Sequence, residues 1–285
     1  ASDVYKRQYQ HHSLNSGMDP IAFSIGGFKI YWYGILVAGG FLAGLWTASR
    51  RCVLDKLDGK VISDLGVWII IAAMLGARAL HVISYWEDQY AGRPLRYVLD
   101  FRAGGLVFYV GFIGAVLAVL LYSRLHGKQP LWKIADAFAP SIPLGHALGR
   151  LGCLMFGCCF GSECDQPWAV QFPVHSPAFE ALGQAPGDAA HSLHVHPTQI
   201  YSALLNVALY GGLAWLYRHK RFDGQVFAAY LVGYSVCRFA VEFFRGDYSA
   251  GELWLGWIKP GQQLSLLLLP VGVALLGFLR RRARG

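Results

Sequence analysis

The stretch IADAFAPSIPLGHALGRLGCLMFGCCFG, residues 134–161, decides how this chain is read. It is apolar enough to sit in a bilayer, yet it carries Asp136, His146 and Arg150 and is interrupted by Pro140 and Pro143. An arginine at a helix centre in lipid costs about 2.5–3.5 kcal/mol on insertion scales, so one kept at that depth points to a functional site. Broken helices there are tolerated where the backbone lines a cavity or is buried in protein. The segment reads as an interrupted membrane helix beside a polar site.

Composition agrees with a membrane setting. The 285 residues are 55% hydrophobic and 15% charged, with a mean hydropathy of +0.37, too apolar for one soluble domain. A hydrocarbon core of about 30 Å takes roughly 20 apolar residues per helix. Seven runs qualify, at about 30–48, 66–86, 105–122, 134–155, 199–217, 225–244 and 262–279. The expected fold is all-α, a polytopic protein of about seven transmembrane helices. Residues 1–17 are polar and patternless, and the coherent segment begins at Met18. Residues 18–285 therefore read as a single transmembrane domain with an outer loop at about 156–198, and 1–17 as extraneous or disordered. The first apolar run has spanning length with no small-residue cleavage site after it, unlike a secretion signal.

The formal charge of +8 does not indicate a nucleic-acid partner, because the basic residues form no amphipathic face. They follow the membrane instead. Arg50, Arg51, Lys56 and Lys60 fill one loop, Arg124, Lys128 and Lys133 a second, Arg218, Lys220 and Arg221 a third. Arg280, Arg281, Arg282 and Arg284 close the chain, while loop 156–198 has no lysine or arginine. The positive-inside rule then puts the amino end outside and the carboxyl tail in the cytoplasm. In that orientation Arg78, Tyr109, Arg150, Arg238 and Glu242 all fall in the outer half of the bilayer, with Tyr31, Trp32 and Tyr33 opening the first span on the same side.

Arg238 and Glu242 are four residues apart and share a helix face, so they can pair. Three arginines, Arg78, Arg150 and Arg238, against one glutamate leave an excess of positive charge. Phosphate suits the planar guanidinium fork, and the phosphate most available at that depth belongs to a membrane lipid head group. Gly145, Gly149, Gly152, Gly157 and Gly161 recur at short intervals, which lets helices or lipid approach the backbone. No glycine-rich strand-to-helix phosphate loop is present, so no cofactor is expected.

These residues fall in an ordered set of motifs. MDPIAFSIGGFKIYWYGILVAGG starts at Met18, GARALHVISYW covers 76–86, and GLVFYVGFIGA covers 105–115. GRLGCLMFGCCFG covers 149–161, HPTQIYSALLN 196–206 and RFAVEFFRGD 238–247. Together they resemble the bacterial prolipoprotein diacylglyceryl transferases. The resemblance implies an enzyme of the bacterial cytoplasmic (inner) membrane with its active site facing the outer leaflet. Such an enzyme moves the diacylglyceryl group of phosphatidylglycerol onto the cysteine thiol of a prolipoprotein signal-peptide lipobox and releases glycerol phosphate. It also implies that Arg150 grips the lipid phosphate, that Arg238 and Glu242 position substrate, and that Arg78 and Tyr33 support them. Gly149, Gly152, Cys153 and Gly161 would complete the lipid-binding signature.

The chain departs from the family pattern at three positions. Tyr109 stands where the family has a histidine that is a candidate base, Cys153 where it has asparagine, and Cys158 where it has an acidic residue. A phenol with a pKa near 10 is a poorer base at neutral pH, so the proton acceptor is Glu242 or a tyrosinate at Tyr109. The changes leave open a phospholipid donor with a different acceptor, or a thiol-redox or metal-handling role on the same scaffold. Cys158, Cys159 and Cys164 flank the signature on the oxidising side, near His175, His191, His194 and His196. Their spacing matches no standard zinc pattern, so a disulfide or packed thiols is the expected state and no metal ligand is assigned.

Overall fold

Gly26 and Gly27 hold φ of 55° and 86°, as the two central positions of a type I′ hairpin turn require. They fold β1 (Ile21–Ile25) antiparallel onto β2 (Phe28–Tyr31). The computed structural model describes residues 18–86, 90, 108–125, 130–248 and 253–284. From Tyr31 the chain passes directly into α1 (Trp32–Leu54), followed by α2 (Lys60–Ser84) and α3 (Phe108–Leu125). The fourth apolar run is two helices, α4 (Leu131–Phe138) and α5 (Ser141–Phe156), parted at Ala139 and Pro140. Proline lacks the N–H that would continue the ladder, so α4 stops there, whereas Pro143 sits in the first turn of α5, where no such bond is needed.

Beyond a long segment of loops and short elements come α7 (Thr198–Arg218), α8 (Gln225–Glu242) and α9 (Pro260–Arg282). A helix thus stands at each expected span, and the second begins at Lys60 rather than at 66. By length and composition α1, α7 and α9 are able to cross a membrane. Their outer faces carry exposed Leu42, Trp46, Leu204, Trp215, Leu267 and Phe278, as expected where lipid is the solvent. The all-α expectation needs one amendment: the structure is mostly helical, but the hairpin at residues 21–31 and a second one at residues 184–192 are β.

The chain divides into two compact units, Ser49–Ile134 on one hand and, on the other, the described residues up to Ala48 together with those from Ala135 onward. In the first, α2 packs along α3, and a Cβ at Gly114 would stand 2.5 Å from the Ala72 carbonyl oxygen. Trp68 meets Tyr122 edge-on at 6.1 Å, and Tyr122 Oη donates to Asp64 at 3.3 Å. In the second, α8 packs on α7 and α9, and α7 on α5. Gly40 and Gly44 of α1 admit α5 closely: a Cβ on Gly40 would lie 3.2 Å from Gly145, and Thr47 Oγ1 meets Ser141 Oγ at 3.0 Å. This is the small-residue spacing that lets membrane helices touch backbone to backbone.

The long segment between α5 and α7 has its own core of Phe160, Phe172, Ala178 and Val195, against which Met18, Leu154, Val170 and Leu182 pack. Around it run α6 (Pro177–Leu182), capped where Ser176 Oγ accepts from Phe179 N at 3.2 Å, and the strands β3 (Gln184–Ala185) and β4 (Asp188–Ser192). Asp136 in α4 is fully buried and accepts from the N–H groups of Gly224, Val226 and Phe227 at 2.9, 2.9 and 3.0 Å. It caps the amino end of α8 from another helix, satisfying donors that a helix start leaves unpaired.

Candidate active site

Arg150 is the pivot of the second unit. It lies two turns before the end of α5, and its Nε donates to His146 Nε2, one turn back, at 3.1 Å. Accepting that bond requires His146 to be neutral at Nε2. The ring of Tyr234 from α8 lies 5.7 Å from the His146 ring. Tyr234 stands four residues before Arg238, on the same face of α8. The sequence marks His146 only as a polar residue along a broken span; its spacing of four from Arg150 is the signal for the contact.

Arg238 and Glu242 pair as their spacing requires, Nη2 to Oε2 at 3.2 Å. Glu242 is fully buried and further held by Tyr248 Oη and by the N–H of Gly261 at 3.2 Å. A Cβ on Gly261 would collide with the Glu242 carboxylate, lying 2.6 Å from Oε1, so only glycine permits that N–H to approach. Burial, and then the bond to Glu242, raise the Tyr248 phenol well above its ordinary pKa, which keeps it a donor. Arg238 Nη2 also reaches Tyr248 Oη at 3.4 Å, whereas its Nη1 is buried without a hydrogen-bond partner among the described residues. Lys259 Nζ donates to the Glu242 carbonyl at 2.9 Å, capping the helix end that carries the pair. Tyr248, Lys259 and Gly261 come from the segment after α8 and had no sequence signal of their own.

The signature glycines divide by purpose. A Cβ on Gly152 would stand 3.0 Å from the Tyr33 ring, so Gly152 seats Tyr33 against α5. Gly161 is a crossing point of three segments: its N–H bonds the His196 carbonyl at 3.1 Å, and Ser162 N bonds that of Phe244 at 2.8 Å. Gly149 faces open space. Cys153 lies one turn beyond Arg150, and its sulfur, with those of Cys158 and Cys159, forms a group within 4.8 Å of one another. The expected grouping of Cys158, Cys159 and Cys164 is thus corrected. Cys164 is buried apart, its Sγ accepting from Gln166 N at 3.4 Å.

Arg78 belongs to the first unit, where it is buried and lies over the Tyr90 ring at 5.4 Å. Tyr109 falls in α3, with its side chain outside the described residues, as residues 1–17 also are.

A sequence profile described as "Prolipoprotein diacylglyceryl transferase" matches residues 20–278. The chain is 35% identical to a protein of Ralstonia pickettii named phosphatidylglycerol–prolipoprotein diacylglyceryl transferase, over 95% of this chain and 96% of that one. Proteins of the same name from Vibrio vulnificus and Nitratidesulfovibrio vulgaris are each 34% identical, covering 93% and 94% of this chain and 93% and 96% of theirs.

Proposed function

The chain belongs to the prolipoprotein diacylglyceryl transferase family, and from that premise we propose that it transfers the diacylglyceryl group of phosphatidylglycerol to a lipobox cysteine thiol. The observation that carries the reading is the charge balance of Arg150 and Arg238. Arg150 bonds an imidazole, Glu242 compensates Arg238, and Arg238 keeps a buried Nη1 without a partner among the described residues. A phosphodiester, bearing one negative charge and several acceptor oxygens, supplies both missing partners. Gly149 leaves room for it beside Arg150.

In the reaction the acceptor sulfur attacks the glyceryl carbon that bears the phosphate ester. The carbon–oxygen bond breaks and its electron pair leaves on the phosphate, which gains a second negative charge. Guanidiniums that already hold the monoanion bind the departing dianion more strongly, and that difference is what lowers the barrier. Glu242, locked by Arg238, Tyr248 and Gly261, acts as the fixed counter-charge that aims Arg238 rather than as a mobile base.

We read the helices as seven crossings of the bacterial inner membrane, the amino end and the outer loop outside and the arginine tail in the cytoplasm. The test is incubation of the purified protein with phosphatidylglycerol and a lipobox peptide, scored for a diacylglyceryl thioether and free glycerol phosphate. Arg150→Ala is expected to abolish product while Arg150→Lys retains part of it. Full turnover in Arg150→Ala removes the phosphate-grip assignment. Glycerol phosphate release without peptide thioether would indicate a different acceptor.

A further inference from the structure

The three clustered thiols are set by backbone geometry. Gly157 ends α5 in the left-handed region, φ 77°, and returns the chain so that Cys158 N bonds the Cys153 carbonyl at 3.1 Å. Cys159 is itself left-handed, φ 59°, a conformation a side chain adopts only when its surroundings impose it. The surroundings are Gln199 and Thr198, both buried at the start of α7. Gln199 Nε2 donates to the Cys158 carbonyl at 2.8 Å and Thr198 Oγ1 to the Cys159 carbonyl at 2.7 Å. Each half of the adjacent pair is fixed by its own bond, and both sulfurs come over the last turn of α5 beside Cys153.

Sulfur atoms around a tetrahedral zinc, with bonds of about 2.3 Å, lie roughly 3.8 Å apart. The three here are within 4.8 Å of one another, so a cation needs only a small contraction to bind all three. All three are partly accessible, and the nearby cysteine that would close the set, Cys164, is committed elsewhere. Three protein ligands with one open position is the arrangement of a catalytic zinc rather than a structural one. Thiolate-only donors favour a thiophilic ion over magnesium or calcium. Arg150 lies one helical turn before Cys153 on α5. Zinc with three thiolates carries one net negative charge, a turn of helix from the Arg150 guanidinium.

We propose that Cys153, Cys158 and Cys159 bind one zinc ion whose fourth position takes the acceptor thiol. This rests on the transferase reading and supplies the proton acceptor that reading lacks, since coordination deprotonates a thiol outright. The acceptor R–SH binds zinc as thiolate and its proton goes to water. The sulfur electron pair then forms the bond to the glyceryl carbon, the carbon–oxygen bond breaks, and the phosphate leaves with that pair. The product thioether is a weak ligand and is replaced by water. Sequence spacing does not reveal the set because its geometry comes from the turn at Gly157.

Metal analysis of the full-length protein in detergent is expected to give about one zinc per chain. Replacing zinc by cobalt(II) gives a probe with thiolate charge-transfer absorption and ligand-field bands. Cys153→Ser, Cys158→Ser and Cys159→Ser each weaken that absorption and lower zinc content, whereas Cys164→Ser changes neither. A lipobox peptide shifts the ligand-field bands, and its Cys→Ser counterpart does not. A disulfide within the trio of the freshly purified protein, or a cobalt spectrum unchanged in the triple serine variant, overturns the site. Bands that ignore the cysteine peptide overturn the open position. Thioether formation insensitive to chelation, with zinc verified as removed, overturns the zinc role and leaves the transferase intact. Zinc binding and a peptide-induced shift without any thioether uphold the site and sink the transferase reading instead.

Discussion

Gly149 and Gly161 belong to one motif, yet alanine at the two positions should act in opposite ways. At Gly161 a Cβ would collide with the His196 carbonyl oxygen and lie 2.5 Å from His196 Cβ and 2.9 Å from the Phe244 oxygen. Ordinary carbon contacts are about 3.5–4.0 Å. Two of the three obstacles are backbone, and moving them strains the bonds of Gly161 N to His196 O at 3.1 Å, Ser162 N to Phe244 O at 2.8 Å and His196 N to Ser162 O at 3.0 Å. Overpacking costs about 1–3 kcal/mol, and losing one or two of these bonds adds about 0.5–1.5 kcal/mol each. Gly161→Ala should therefore lose roughly 2–5 kcal/mol, lowering Tm on the order of 10 °C. Gly149 lies inside α5 with open space around its Cβ position. Alanine there gains up to about 1 kcal/mol of helix propensity, so Tm should hold or rise while KM for phosphatidylglycerol increases. Thermal unfolding in detergent, paired with turnover at several lipid concentrations, reads both quantities. A Gly161→Ala protein as stable as wild type, or a Gly149→Ala protein equally destabilised, refutes the division of labour.

The buried pair gives a second test: Glu242→Gln strands the Arg238 charge and should cost about 3–5 kcal/mol. The double variant Arg238→Met/Glu242→Gln should recover most of that Tm without recovering thioether formation, and recovery of both would remove Arg238 from the site. At the other end of α8, Asp136→Asn places an amide against the N–H of Gly224 and Lys220 Nζ. The loss should be about 3 kcal/mol in stability with KM unchanged, since thirteen residues of helix separate that end from Arg238, about 20 Å. A KM change in Asp136→Asn with Tm intact would contradict its capping role.

The parts that could be read in the sequence share a physical origin. A helix lies in each of the apolar runs, the fourth broken into two, and three of them are long and apolar enough to cross a membrane. Helical periodicity then makes spacing of four a contact, and Arg238–Glu242 follows from it alone. The same periodicity joins His146 to Arg150, four residues on along α5. Asp136 could not be assigned its partners by any local rule, because the helix start that it caps lies 88 residues away for Gly224.

The cysteines show where local reading fails even at short range. Along the chain Cys164 is nearer to Cys159, at five residues, than Cys153 is, at six, so proximity favours the wrong third member. What reverses the choice is handedness. Left-handed residues at Gly157 and Cys159 fold the adjacent pair back onto the helix just completed, while the main chain from Gly161 onward is drawn to His196 and Phe244. That turn is possible only because Gln199 and Thr198 arrive from α7 to hold the two cysteine carbonyls. A site whose shape depends on α7 reaching back to α5 can be altered without touching a cysteine. Gln199→Leu keeps every thiol yet frees Cys158, and on the reasoning above it should weaken the cobalt charge-transfer band as a ligand substitution would.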